Sequence, residues 1–235
     1  MRRPVRVVVT LAASAGVVVA LAAAVLSAAG AAVPSELPEQ LRASMARSGV
    51  EHPVTAVLLN FRSYDTLLEI GVLVIAGMAG ISLASTNALE DPALRSADSL
   101  LYALQRWFVP VMLLLAAYLL WAGAHRPGGA FQAGAVLAAT GVLMRLGGLP
   151  MAFIRPGILL RLGLVLGFAV FLLVAVAGAL NGEAFLAYPA TMAGGLILII
   201  EIGLTFSIGM ILLALFVAAP VSMSTSRKRG PGCEP

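Results

Sequence analysis

Cysteine is almost missing from this chain of 235 residues: there is one, Cys233. That excludes a disulfide framework, a CxxC redox pair and a thiolate metal site. Histidine is nearly as scarce, and His52 and His125 stand far apart in sequence, so neither is assigned to a metal. Charge is scarce too. Charged residues make up 11% of the chain, against about 25% in an ordinary soluble domain. So few charges cannot clothe a soluble surface or hold a chain open by repulsion. The net charge of +4 does not indicate nucleic acid, because the basic residues sit at the ends of apolar runs, where they set membrane topology. No phosphate-cradling Gly-Lys-Ser/Thr loop, nucleophile–base pair or haem motif is found. Nothing supports a stand-alone enzyme, and no cofactor or metal is expected.

Apolar sequence is what the chain has in excess, at 60%. A membrane-spanning helix needs about 20 largely apolar residues. Six runs qualify or come close: Val7–Val33, Ile70–Leu89, Trp107–Ala124, the shorter Ala130–Met144, Leu162–Leu180 and Met192–Ala219. They lack the alternation of a barrel strand, and a helix satisfies its own backbone in lipid. The fold class is therefore all-α, a polytopic membrane protein of about six helices. Arg2, Arg3 and Arg6 ahead of the first run resemble the start of a signal peptide, but the run exceeds the usual 7–15 residues. It is read as a retained helix. Eleven of the 15 Lys and Arg residues fall in the segments on one side of the membrane. Basic residues mark the cytoplasmic side, so both termini are placed in the cytoplasm.

Charges inside or beside apolar runs are the candidates for chemistry, because they are costly at membrane depth and pair or line polar paths. Arg62, Asp65 and Glu69 are spaced 3 and 4 apart, which on a helix gives them one face. They read either as a carboxylate pair feeding an ion or proton route, with Arg62 as partner, or as an interfacial cluster that caps a helix. Glu201 lies midway through the last run. A carboxylate there costs about 2.5–3.5 kcal/mol to insert, so it must face protein or water, or carry a proton; a structural bond to a neighbouring helix is the alternative. Pro127, Gly128 and Gly129 form a tight reversal between the third and fourth runs, with Phe131 and Gly134 just beyond. Gly163 and Gly167 form a GxxxG pair suited to close helix packing, and Gly194, Gly195, Gly203 and Gly209 can act likewise around Glu201.

Two of these segments carry a resemblance. The hairpin Gly123-Ala-His-Arg-Pro-Gly-Gly-Ala-Phe-Gln-Ala-Gly134, the helix Trp107–Trp121 before it and the closing Glu201-Ile-Gly203 resemble the B subunit of Mrp-type multisubunit Na⁺/H⁺ antiporters, with Ala130 where that family has a third Gly. Asn60-Phe-Arg62-Ser-Tyr-Asp65-Thr-Leu-Leu-Glu69 resembles the E-type subunit of membrane-bound hydrogenases and the end of the large antiporter subunit. The resemblance implies a non-catalytic subunit working with other antiporter subunits, Na⁺, H⁺ and lipid; richness in alanine and arginine points to a bacterium, hence to its cytoplasmic membrane, and the placement of the basic residues speaks against nucleic acid. It implies that Asp65 and Glu69 help line the ion route. The same elements occur in hydrogenases related to respiratory complex I, which leaves a redox-driven complex open; a purely structural scaffold is the third reading. The resulting division is a first spanning helix (1–33), an extracytoplasmic loop or surface helix (34–53), the hydrogenase-like segment (54–89), a cytoplasmic connection (90–106), a four-helix domain (107–219) and a disordered cytoplasmic tail (220–235).

Overall fold

The computed structural model describes residues 3–30, 36–84, 99–149, 154–155, 157–181, 184–189 and 191–219. Among them no strand occurs, and the regular elements are helices. Much of the 90–106 connection and all of the 220–235 tail lie outside the described residues. Two compact units divide the chain, residues 1–43 and 44–235. The first holds α1 (Arg3–Gly30), which covers most of the first apolar run, and the start of α2 (Leu37–Ser48). Pro38 and Glu39 lie in the first turn of α2. Proline is tolerated there and a carboxylate favours the positive end of the helix dipole. Within the 34–53 stretch, Leu37–Ser48 forms this helix.

The second unit begins its membrane part with a broken helix. α3 (Pro53–Ala56) carries proline at its first position and passes into a π turn, Val57–Phe61. The Arg62 N–H donates back to the Val57 carbonyl at 2.8 Å, and Arg62 itself leaves helical geometry before α4 (Ser63–Leu83) starts. α5 (Ser99–Ala122), α6 (Ala130–Leu146), α7 (Ile158–Leu180) and α8 (Ala193–Ala218) follow. Among the described residues four helices, α4, α5, α7 and α8, are long and apolar enough to cross a membrane. α6 has 17 residues, or about 25 Å at 1.5 Å per residue, a little under the hydrocarbon thickness.

Helices α4 and α5 begin earlier than the apolar runs. α4 includes Asp65 and Glu69, and α5 takes in Gln105 and Arg106. Polar side chains near a helix end do not stop the helix, because its backbone bonds are made whatever the side chain does. Gln105 is buried, and its amide donates to the Leu143 and Met144 carbonyls at the end of α6. Those carbonyls also accept the backbone N–H groups of Gly147 and Leu149 at 3.2 and 3.1 Å, so Gln105 ties α5 to an already capped helix end.

α8 is the axis of the unit and packs against α4, α6 and α7. Ile197, Ile200, Leu204, Ile208 and Ile211 are buried against Ile70 and Val74 of α4 and Leu160, Leu164 and Phe171 of α7. Lipid is as apolar as leucine, so close packing and interhelical hydrogen bonds hold such helices together. The GxxxG pair does this on α7. A Cβ on Gly167 would stand 2.9 Å from the Leu204 Cα and 2.8 Å from the Ser207 Cβ. One turn away the Ser207 hydroxyl donates to the Leu164 carbonyl at 2.6 Å, a contact of about 0.6 kcal/mol and up to about 1.7 in such bundles. Gly203 meets Val170 and Gly209 meets Leu137, while Gly195 faces open space. Gly167→Val is therefore expected to force the helices apart and cost about 1–3 kcal/mol, with Gly195→Ala neutral. Thermal unfolding in detergent, followed by size-exclusion, checks this; equal midpoints for the two variants contradict it.

Candidate functional site

A cavity of about 320 Å³ lies where α3, the π turn, the starts of α4 and α6, and α8 converge. Its polar lining is Thr55, Thr66, Glu69, Gln132 and Glu201, joined by Gly128 and Gly129 of the hairpin and by Phe131. The local sequence explains how each wall is set. The π turn and the break at Arg62 release the Leu58 carbonyl from its helical bond, and the Thr66 hydroxyl donates to it at 2.6 Å. The Asn60 amide donates to the Ser48 carbonyl at 2.9 Å, which anchors the turn to the end of α2. The His52 N–H donates to the Ala124 carbonyl at 3.1 Å, and the Thr55 hydroxyl to the Gly123 carbonyl at 2.5 Å. These two bonds hold α3 against the hairpin.

Glu201 is 3% exposed. Its carboxyl lies beside the backbone N–H of Ala130, the first residue of α6. The first N–H groups of a helix are unpaired and sit at the positive end of its dipole, so a carboxyl buried within α8 faces a ready donor. Gly129 makes the approach possible. Its φ is +111°, and a Cβ there would lie 2.9 Å from the Glu201 Oε1. The Gly129 N–H in turn donates to the Leu119 carbonyl at 2.9 Å. A Cβ on Gly128 would stand 2.5 Å from that same carbonyl oxygen. Gly134 faces Ile208 and the Thr205 carbonyl, where α6 crosses α8. Pro127 belongs to the bend that precedes the two glycines.

The structure divides the first charged cluster. Arg62 and Asp65 form an exposed ion pair, and Asp65 is not among the cavity residues. Glu69 lines the cavity together with Glu201. Residue spacing missed the hydroxyls of Thr55 and Thr66, whose only trace in sequence is a polar residue at the edge of an apolar stretch. It also missed the bearing of Gly129 on Glu201, 72 positions on along the chain. His125 stands 3.8 Å from Glu51 on the surface, away from the cavity lining. Tyr188, in the connection before α8, has its hydroxyl buried without a partner among the described residues. Burial pushes it up to about 12, so it stays neutral and carries no proton in the physiological range. Among the described residues no three His, Cys, Asp or Glu side chains gather as for a metal ion. The site is two carboxylates from different helices, hydroxyls and a helix N-terminus around one small cavity.

Residues 100–226, more than half of the chain, match the family model of domains related to the MnhB subunit of Na⁺/H⁺ antiporters. No curated protein matches the sequence. Among solved structures, a chain in the Mrp complex from Dietzia sp. DQ12-45-1b superposes with a TM-score of 0.65 at 23% identity. That match covers 93% of this chain and 26% of the other, so this chain spans about a quarter of that one's length. A chain of the membrane-bound sulfane sulfur reductase, an archaeal respiratory membrane complex, superposes with a TM-score of 0.64 at 20% identity, covering 91% of this chain and 97% of the other. At these identities the likeness is one of fold.

Proposed function

Since the chain belongs to the family of domains related to the MnhB subunit of Na⁺/H⁺ antiporters, we propose that it is a non-catalytic membrane subunit of a Mrp-type multisubunit cation/proton antiporter. The observation that carries this reading is the single cavity shared by Glu69 of α4 and Glu201 of α8. Protons and Na⁺ compete for the same groups. A carboxylate releases a proton and then holds a hard cation, which prefers oxygen ligands. The Thr55 and Thr66 hydroxyls donate to backbone carbonyls, which leaves their oxygens turned to acceptor duty. In this reading the proton motive force drives the exchange, and partner subunits supply the remainder of the route. The host membrane is the cytoplasmic membrane of a bacterium. With both termini in the cytoplasm, the cavity lies toward the outer face, since α4 and α6 enter the membrane from that side. Arg62 and Asp65 serve as an interfacial pair at the mouth rather than as carriers.

The test is neutral replacement in the assembled complex. Glu69→Gln is expected to lower Na⁺/H⁺ exchange in vesicles about tenfold with normal assembly, and Asp65→Asn to leave it within about twofold. If Asp65→Asn is the more damaging of the two, the roles given to these carboxylates are reversed. A second reading, the membrane arm of a redox-driven complex, is favoured by the match that covers nearly all of a respiratory-complex chain. Affinity purification in mild detergent separates the two. Large antiporter-like subunits alone support the first reading, and nickel–iron or iron–sulfur partners support the second. A chain that purifies alone removes both.

A further inference from the structure

The opposite end of the bundle holds a second cavity of about 330 Å³, between the last turns of α4 and the first turns of α7. Met78, Ile81, Leu160 and Leu164 make it apolar, and Ser82, Gly157 and Arg161 give it a polar rim. Arg161 is exposed and forms no ion pair among the described residues. Arg155 is exposed and unpaired in the same sense, six residues earlier. Among the described residues, the Arg62–Asp65 ion pair and the Glu51–His125 contact lie at the other end, by the start of α4 and the hairpin. This end is therefore an apolar slot with a cationic lip that no described residue neutralises. We propose that the slot binds an anionic phospholipid, with an acyl chain along Met78, Ile81 and Leu164 and the phosphate on Arg161.

Charge and depth select this occupant. Arg161 is the fourth residue of α7, at headgroup level, and the slot runs from it into the apolar part of the bundle. A guanidinium presents its donors in a fork that matches phosphate oxygens. Basic pockets between helices at the cytoplasmic side are where anionic headgroups dock. The first N–H groups of α7, unpaired within the helix, add donors at the same level. A protein partner would need an acidic side chain carried at membrane depth, at the insertion cost of a charge, whereas an anionic lipid brings its phosphate already at the interface.

The experiment uses the assembled complex in nanodiscs containing phosphatidylglycerol and phosphatidylcholine with the same acyl chains, and measures by native mass spectrometry which lipid is retained. The wild-type complex is expected to retain phosphatidylglycerol about fivefold over phosphatidylcholine. Arg161→Gln brings that ratio close to one, and Arg161→Lys keeps most of it. Ser82→Phe, which blocks the slot and leaves the charge, lowers retention of both lipids. Should Arg161→Gln fail to assemble, the lysine and phenylalanine variants decide the matter alone. Equal retention by the wild type overturns the proposal. Unchanged retention in Ser82→Phe overturns it too, as does a protein subunit crosslinked into the slot through a photoreactive group at Val165.

Discussion

Glu201→Gln in the assembled complex is expected to reduce Na⁺/H⁺ exchange about a hundredfold, the scale of losing one positioned proton-transfer group. The substitution keeps the shape, and the amide oxygen accepts from the Ala130 N–H as readily as a carboxyl oxygen does. It removes the capacity to exchange a proton for a cation. A merely structural Glu201, held for its contact with α6, predicts the contrary: glutamine then preserves both assembly and exchange. The assay is cation-induced dissipation of a pH gradient in everted vesicles, with assembly confirmed by native electrophoresis. Because Glu201 is 3% exposed, no bulk water makes up for its loss. Glu69 is more open, which is why its neutralisation is expected to cost less. An exchange rate within twofold of wild type in Glu201→Gln would remove this residue from the route.

Gly129→Ala is expected to produce the other large loss, more than tenfold, without any change of charge. Two effects coincide at this position. A φ of +111° is sparsely populated by any residue with a Cβ and costs about 1–3 kcal/mol. That Cβ would also stand 2.9 Å from the Glu201 Oε1 and push the carboxyl off the Ala130 N–H. A 1 Å displacement of a positioned group is enough to cost an order of magnitude or more. Exchange measured alongside thermal stability separates the two effects. Backbone strain alone lowers the unfolding midpoint and spares the rate per assembled complex. Displacement of Glu201 lowers the rate per complex as well, and a rate that is spared refutes the proposed contact.

The helices were legible because hydrophobic length is a property of the chain itself. All six apolar runs fall largely on helices. Where the helices begin was less legible. Arg106 marked the edge of an apolar run but not of a helix, since α5 reaches back to Ser99. The two carboxylates of the cavity stood out in sequence because charge at membrane depth is rare. Their meeting did not, because it depends on how α4 and α8 cross. Periodicity placed Arg62, Asp65 and Glu69 on one face; Arg62 does pair with Asp65 although its backbone lies outside the helical geometry, while Glu69 alone of the three lines the cavity. The glycines at 128 and 129 announced a turn, and no local pattern could announce that the turn faces a carboxylate from another helix.

The π turn at Val57–Phe61 has a counterpart in spelling. Such a turn is an α-helix into which one residue too many has been written, and each extra residue swings everything before it by about 100° around the axis. Thr55, whose hydroxyl reaches the Gly123 carbonyl, lies before the turn, and Thr66, which covers the freed Leu58 carbonyl, lies after it. The two therefore face one chamber only while that surplus letter stays in place. A chain with every residue type conserved but one position deleted between 57 and 61 would read almost the same and aim its threonines in different directions. In this segment the count of residues, and not only their identity, is part of what the site is made of.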